Sequence, residues 1–220
     1  MANRRIILDL CGGTGSWSEP YREAGYQVQV ITLPAHDVRT YKPPCDVYGI
    51  LAAPPCTHFS VSGARWWAEK DAKGLTEEAV DTVLACLRIV QQCNPVWWAL
   101  ENPAGRIAKL VPDLGKPVLS FQPWEFGDPW LKRTMIWGDF ELPLKRLGAV
   151  RPIVDTKKRW QASLTNHLSP TPTAAQIAKL AATGMLPADW IHRLGPSPDR
   201  ATLRSITPPG FARAFFKANP

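Results

Sequence analysis

The sequence predicts an α/β fold, doubly wound around a mainly parallel sheet, on three observations. A short apolar run, Arg5-Ile6-Ile7-Leu8-Asp9-Leu10, ends in a glycine turn, Gly12-Gly13-Thr14-Gly15, and a helical segment follows. Strand-like and helix-like segments then alternate through the first half of the chain. The glycine turn, Cys56 and Glu101 all fall at the C-terminal ends of predicted strands, where open parallel sheets place ligands and chemistry.

The elements follow in order. Strand 5–10 and its turn lead into a helix over 18–24. Residues 26–31 alternate and carry β-branched side chains, so they form a second strand; 47–53 form a third, running into Pro54-Pro55-Cys56. Thr76-Glu77-Glu78 opens a helix, with a capping Thr and acids that suit the positive end of the helix dipole. It reaches about Gln92, with Val80, Val83, Leu84, Leu87 and Val90 on one face, and Asn94-Pro95 stops it. Strand 96–100 delivers Glu101-Asn102-Pro103. Beyond residue 112 Pro and Gly punctuate the chain; a short helix is expected over 173–183 and another from about Pro209.

The 220 residues suit one sizeable domain with a small appendage. Hydrophobic residues make up 45% and charged residues 20%, enough apolar mass for a real core. No apolar run has the length of a membrane span, and Met1-Ala2-Asn3-Arg4-Arg5 leads straight into a strand, so a cytoplasmic protein without a leader is expected. A net charge of +7, with 10 Trp, points to a polyanionic partner. Five cysteines lack the spacing of a zinc site or a disulfide framework, so no metal is expected. Cys86 and Cys93, seven apart in a helix, should share a core-facing stripe.

The chemistry resides in three places. The turn allows close backbone approach to a ligand, and Gly13-Thr14-Gly15 without a third glycine three residues on fits a cofactor lacking a pyrophosphate better than a dinucleotide. Two prolines stiffen the loop holding Cys56, whose thiol is a nucleophile only as the thiolate and so needs an electropositive setting. Glu101 closes a wholly apolar strand, where a carboxyl must be paired or partly protonated; it suits a hydrogen-bond partner and proton donor to a heterocycle.

Asp9-Leu10-Cys11-Gly12-Gly13-Thr14-Gly15, Pro54-Pro55-Cys56-Thr57-His58-Phe59-Ser60 and Glu101-Asn102-Pro103 resemble, in order and spacing, the motifs of the cytosine-C5 DNA methyltransferases. Arg204-Ser205-Ile206-Thr207-Pro208-Pro209-Gly210-Phe211-Ala212 looks like the closing segment of compact, phage-type members, and the resemblance spans nearly the whole chain. It implies a Rossmann-like S-adenosylmethionine-dependent methyltransferase fold with a small, reduced target-recognition region. The core would be 1–139, the recognition region 140–203, and 204–220 would return to the core.

The implied reaction methylates C5 of a cytosine flipped out of double-stranded DNA, Cys56 attacking C6 and Glu101 binding the N3/N4 edge. The implied cofactor site comprises Leu10, Cys11, Gly13, Thr14, Gly15, Ser16, Asp37, Val38, Pro55 and Thr207, with Asp37 accepting from the adenine amine. Phe is usual where Cys11 stands, and Thr32-Leu33-Pro34 occupies the place of the ribose-binding acid. Lys132 matches the first of two alternating family arginines by charge; Thr134 replaces the second, with Arg133 beside it, so either cation is a candidate for the catalytic site.

Substrate contacts are expected from Asn102 and from the long polar loop 57–74, through Ser60, Ser62, Arg65 and Trp66. Lys157, Lys158 and Arg159, next to Trp160, are the DNA-contact candidates in the recognition region. So short a reader implies a short recognition site; a monomer is expected, in the host cytoplasm if phage-encoded. The same residues are compatible with an RNA cytosine-C5 methyltransferase, a catalytically dead nucleic-acid-binding homologue, or an adenosylmethionine enzyme acting on a free nucleotide or a different base.

Overall fold

In a computed structural model, which describes residues 5–152, 188–194 and 200–220, six strands form one sheet in the order β2-β1-β3-β4-β6-β5. The strands are β1 (Ile6–Leu10), β2 (Gln27–Ile31), β3 (Val47–Ala52), β4 (Trp97–Pro103), β5 (Leu119–Phe121) and β6 (Thr134–Asp139). β1 pairs in parallel with β2 and β3, and β3 with β4; β6 runs antiparallel to both β4 and β5. The expected mainly parallel, Rossmann-like α/β architecture is the one observed.

Both faces of the sheet are covered, so its strands are apolar on both sides. On one face Leu8, Leu10, Ile50, Ala52 and Leu100 meet Ala79, Val83, Cys86 and Ile89 of the long helix α3 (Leu75–Cys93). On the other, Ile7, Leu51, Trp97, Ala99 and Ile136 meet Trp17, Tyr21, Phe211 and Phe215. The latter two belong to the closing helix, Pro209–Ala218, which lies against α1 (Glu19–Glu23). Phe211 stacks on Phe121 at 4.0 Å between ring centroids, and the Tyr21 hydroxyl donates to the Asn219 carbonyl at 2.7 Å. Removing each of these phenyl rings from water contributes about 2–3 kcal/mol, which ties the end of the chain to its first helix.

Several boundaries depart from expectation. α3 is capped by Gly74 in a left-handed conformation, not by Thr76. Thr76 is buried in the first turn, where its hydroxyl donates to Asp71 and accepts from Arg106. The buried face of α3 is shifted: Leu84 is exposed, whereas Ala79, Cys86 and Ile89 are buried. Cys86 and Cys93 do lie on the same core cluster. β4 runs three residues past Leu100 because β6 pairs with it as far as Pro103–Thr134. Segment 57–74, read as an irregular loop, winds into 3-10 turns at Cys56–His58 and Val61–Trp66 and a short helix α2 (Trp67–Ala72). The expected helix over 173–183, Lys157, Lys158, Arg159 and Trp160 lie outside the described residues. Among those described, no helix is long and apolar enough to cross a membrane.

Candidate active site

The parallel strands β1 to β4 all end at one edge of the sheet, and that edge collects the candidate chemistry. Ala53 leaves β3 still bonded to Leu10, its N–H donating to the Leu10 carbonyl at 2.9 Å. Pro54-Pro55 then turns the chain into the 3-10 turn of Cys56, whose carbonyl accepts from Phe59 and Ser60. Glu101 arrives on β4. Lys132 comes from far along the chain, but the antiparallel register Pro103–Thr134 places it at the same edge. Its ammonium lies 3.4 Å from Glu101 Oε1, and both side chains are largely covered.

Burial pushes the Cys56 thiol above the ordinary thiol range; Lys132 and Arg204 pull it back, and Glu101 adds to the upward push. The surroundings are thus mixed rather than purely electropositive, and Lys132 divides its charge between a carboxylate and a thiol. Of the two candidate cations, Lys132 is the one paired with Glu101 and acting on Cys56; Arg133, next to it in sequence, is exposed. The buried Thr134 hydroxyl donates to the Lys132 carbonyl, and the Lys132 N–H donates to Gln122 Oε1 at 3.0 Å. Gln122, which the sequence reading passed over, closes a capping box with Glu125 and so fixes the segment bearing Lys132.

The Asn102 side chain is fully buried and donates to the Pro54 carbonyl at 3.0 Å, so it braces the Pro-Pro-Cys loop from beneath. The loop after Cys56 is pinned to the end of β4 by Val61 N–H to the Ala104 carbonyl and Arg106 N–H to the Phe59 carbonyl. The Arg106 guanidinium also donates to the His58 carbonyl and, through both terminal nitrogens, to the Asp71 carboxylate. Arg106 is a positioning residue that the sequence reading missed, because its partners come from three separate segments. Ser60 is buried, with its hydroxyl 2.9 Å from that of Ser62, while Ser62, Arg65 and Trp66 are exposed on the rim.

A cleft of about 300 Å³ opens beside the glycine turn, lined among others by Cys11, Ile31, Leu33, Asp37, Val38 and Pro55. Cys11, Gly13 and Gly15 have positive φ, and Gly15 N–H closes the turn on the Gly12 carbonyl at 2.8 Å. The Leu10 side chain lies wholly in the core, and its carbonyl accepts from the Ala53 N–H. Thr14 is exposed on the turn, and Ser16 accepts the Thr207 N–H at 2.9 Å, so Thr207 is joined to the turn through its backbone. Asp37 lines the cleft, but its carboxylate is already gripped by Arg39, which donates through its backbone N–H, Nε and Nη2. Those bonds hold the Asp37 carboxyl down at about 2. His58 also lines the cleft, and burial lowers its pKa below the usual imidazole value.

No protein-family model matches the chain, and no curated protein matches it. Among solved structures it is similar to a prophage-encoded E. coli protein described as a DNA modification methyltransferase (TM-score 0.46, 16% identity, over 71% of this chain and 58% of that one). It is also similar to the S. pombe Dnmt2 methyltransferase (TM-score 0.40, 14% identity, over 86% of this chain and 70% of that one). The chain therefore spans less than two thirds of the length of the E. coli protein.

Proposed function

We propose that this chain is an S-adenosylmethionine-dependent cytosine-C5 methyltransferase acting on double-stranded DNA, with Cys56 as nucleophile. The observation that carries this reading is the meeting of Cys56 with the Lys132–Glu101 ion pair at the strand ends, beside a cleft that begins at the glycine turn. A thiol next to a proton-bearing or proton-accepting carboxyl is the pair that nucleophilic addition to a pyrimidine requires.

The cleft suits the cofactor's adenosyl half. Ile31, Leu33 and Val38 offer apolar contact to a heterocycle, and the ionised Asp37 offers an acceptor to an exocyclic amine. Cys11, Gly13, Thr14, Gly15 and Ser16 would hold the remainder along the turn, with Pro55 on the opposite wall and Thr207 bracing Ser16. Bound adenosylmethionine supplies an electrophilic methyl group.

Addition proceeds from the Cys56 thiolate to C6 of the flipped base. As the Sγ–C6 bond forms, the C5=C6 π pair shifts to C4–C5 and the C4=N3 pair moves to N3, which takes a proton that the Glu101 carboxylate picks up from solvent and passes on. C5 is now enamine-like and takes the methyl group. Loss of the C5 proton to solvent then restores C5=C6 and expels the Cys56 thiolate, and N3 returns its proton to Glu101. Lys132 holds Glu101 in place and keeps a positive charge near the thiolate. Arg65, Trp66 and Arg133, all exposed around this edge, are assigned to the DNA backbone and the vacated stack.

The test is a denaturant-resistant covalent complex with DNA containing 5-fluorocytosine in the presence of adenosylmethionine, with fluorocytosine RNA in parallel. The expected complex forms with DNA, maps to Cys56 and vanishes in Cys56→Ser. No complex with either nucleic acid would overturn the reading; a complex with RNA alone would transfer the activity to RNA.

A further inference from the structure

The closing segment touches both halves of the site. Thr207 N–H donates to Ser16 in the glycine turn, and Ser205 Oγ lies 3.6 Å from where a side chain on Gly13 would begin. Three residues before Thr207, Arg204 Nη2 donates to Ser62 Oγ at 3.1 Å, on the segment that follows the nucleophile. Arg204 sits in the last turn of the helix Arg200–Ser205, which is anchored by the fully buried Leu203. The cationic place beside Cys56 that Thr134 leaves without a charge is therefore approached from a different part of the chain.

We propose that Arg204 is a positioning residue for Cys56: its guanidinium fixes the nucleophile-bearing segment through Ser62 and supplies the second positive charge that stabilises the Cys56 thiolate. Among the described residues, the charged groups acting on Cys56 are Glu101 from β4, Lys132 from the segment just before β6 and Arg204 from the closing segment. His192, in the neighbouring helix Trp190–Arg193, also senses Arg204 and is held below the usual imidazole value, chiefly by burial, so at neutral pH it adds no competing charge. Lys132 is engaged by Glu101, whereas among the described residues Arg204 has no ion pair with a carboxylate. Arg204 therefore provides positive charge that no acid among the described residues neutralises. The assignment rests on Cys56 being the nucleophile, but the thiol can be titrated without DNA or cofactor.

The experiment measures the rate of iodoacetamide alkylation of Cys56 against pH in the full chain, following the Cys56 peptide by mass spectrometry, with the exposed Cys45 as internal control. Arg204→Gln keeps a donor for Ser62 but removes the charge; Arg204→Lys keeps the charge; Ser62→Ala removes the tether, together with the Ser60 contact, and leaves the charge. The expected result is a Cys56 alkylation midpoint displaced to higher pH in Arg204→Gln, with a rate near pH 8 reduced about three- to tenfold, and a near-wild-type midpoint in Arg204→Lys. Ser62→Ala should give a smaller displacement, and Cys45 should not respond to any of the three. An unchanged midpoint in Arg204→Gln, or a displacement in Arg204→Lys equal to that in Arg204→Gln, would overturn the proposal. Failure of wild-type chain to trap fluorocytosine, with the alkylation pattern as expected, would instead count against the methyltransferase reading alone.

Discussion

Lys132 and Glu101 form an ion pair at 3.4 Å with side chains only 9% and 13% exposed. Two charges this far out of water stabilise the fold only while both are present; deleting one leaves the other buried and uncompensated. Lys132→Met should therefore cost roughly 3 kcal/mol in urea-induced unfolding at pH 7, whereas Lys132→Met combined with Glu101→Gln should recover most of it. A double variant as unstable as the single one would show that Lys132 acts by packing, not by pairing.

The raised Cys56 thiol sets the direction of the pH response. Burial disfavours the thiolate, so its fraction grows with pH through a midpoint above the ordinary thiol range. Single-turnover transfer at saturating DNA should rise from pH 7 toward pH 9 when the thiolate limits the rate. Lys132→Met should displace that rise to higher pH, since Lys132 is the largest of the influences that favour the thiolate. A profile flat from pH 7 to 9 in the wild-type chain would mean that proton removal from Cys56 does not limit addition.

Asp37 carries a related prediction for the cleft. Its carboxyl, held at about 2 by Arg39, is ionised throughout the physiological range. Asp37→Ala should weaken adenosylmethionine binding by roughly tenfold or more, the loss typical of a charge-assisted hydrogen bond, and wild-type affinity should not vary between pH 5 and 8 on this residue's account. Calorimetric titration reads both; an unchanged affinity in Asp37→Ala would leave Arg39 as its sole partner.

The parts of this site that were legible in the sequence are those with local signals. Cys56 is announced by Pro54-Pro55 at a strand end, the turn after β1 by glycines following an apolar run, and the closing helix by Pro209. Lys132 was legible as a charge but its place was not, because that depends on the antiparallel β4–β6 register, and β5 and β6 are short strands in a Pro- and Gly-punctuated stretch. Arg204 and Ser62 meet across 142 residues with no periodicity to connect them. The engagement of Asp37 by Arg39 is local, two residues apart, and an acid followed by an Arg at that spacing was a signal open to reading. The burial of Asn102 was not legible, because the apolar run that marks the strand stops at Leu100, whereas β4 continues to Pro103 and turns Asn102 into the protein.

Gly105 makes the order of the Cys56 segment testable. A side-chain carbon at Gly105 would fall on the Phe59 carbonyl, where the backbones of 59–61 and 104–106 pair. Backbone cannot yield as a flexible side chain does, so Gly105→Ala should destabilise the fold by roughly 1–3 kcal/mol and make 57–74 more susceptible to limited proteolysis. Unchanged cleavage of 57–74, with an unchanged melting temperature, would show that this pairing does not order the segment.

Asp9 tests the turn from below. It is fully buried, with one carboxylate oxygen accepting from Ser18 at 2.6 Å and the other without a hydrogen-bond partner among the described residues. Desolvation raises its pKa to about 6, against 3.8 in its ordinary state, with the Ser18 hydrogen bond opposing. The folded chain therefore binds this proton more tightly than the unfolded chain does. Linkage then gives a stability contribution that is fully present below about pH 4 and is lost as pH rises toward and through 6, because at neutral pH folding must bury a charge. The loss amounts to about 3 kcal/mol, from a shift of about two pH units at ~1.4 kcal/mol each. Asp9→Asn cannot ionise, so its stability relative to wild type should climb by about that amount between pH 4 and 7. Taking the difference between the two proteins cancels other groups, including the buried Asp128, whose carboxyl is also raised to about 6. Urea unfolding of both chains across this range measures the difference directly. A difference that stays flat with pH would mean that Asp9 is solvated or paired in solution, and that the turn above it does not rest on a protonatable carboxyl.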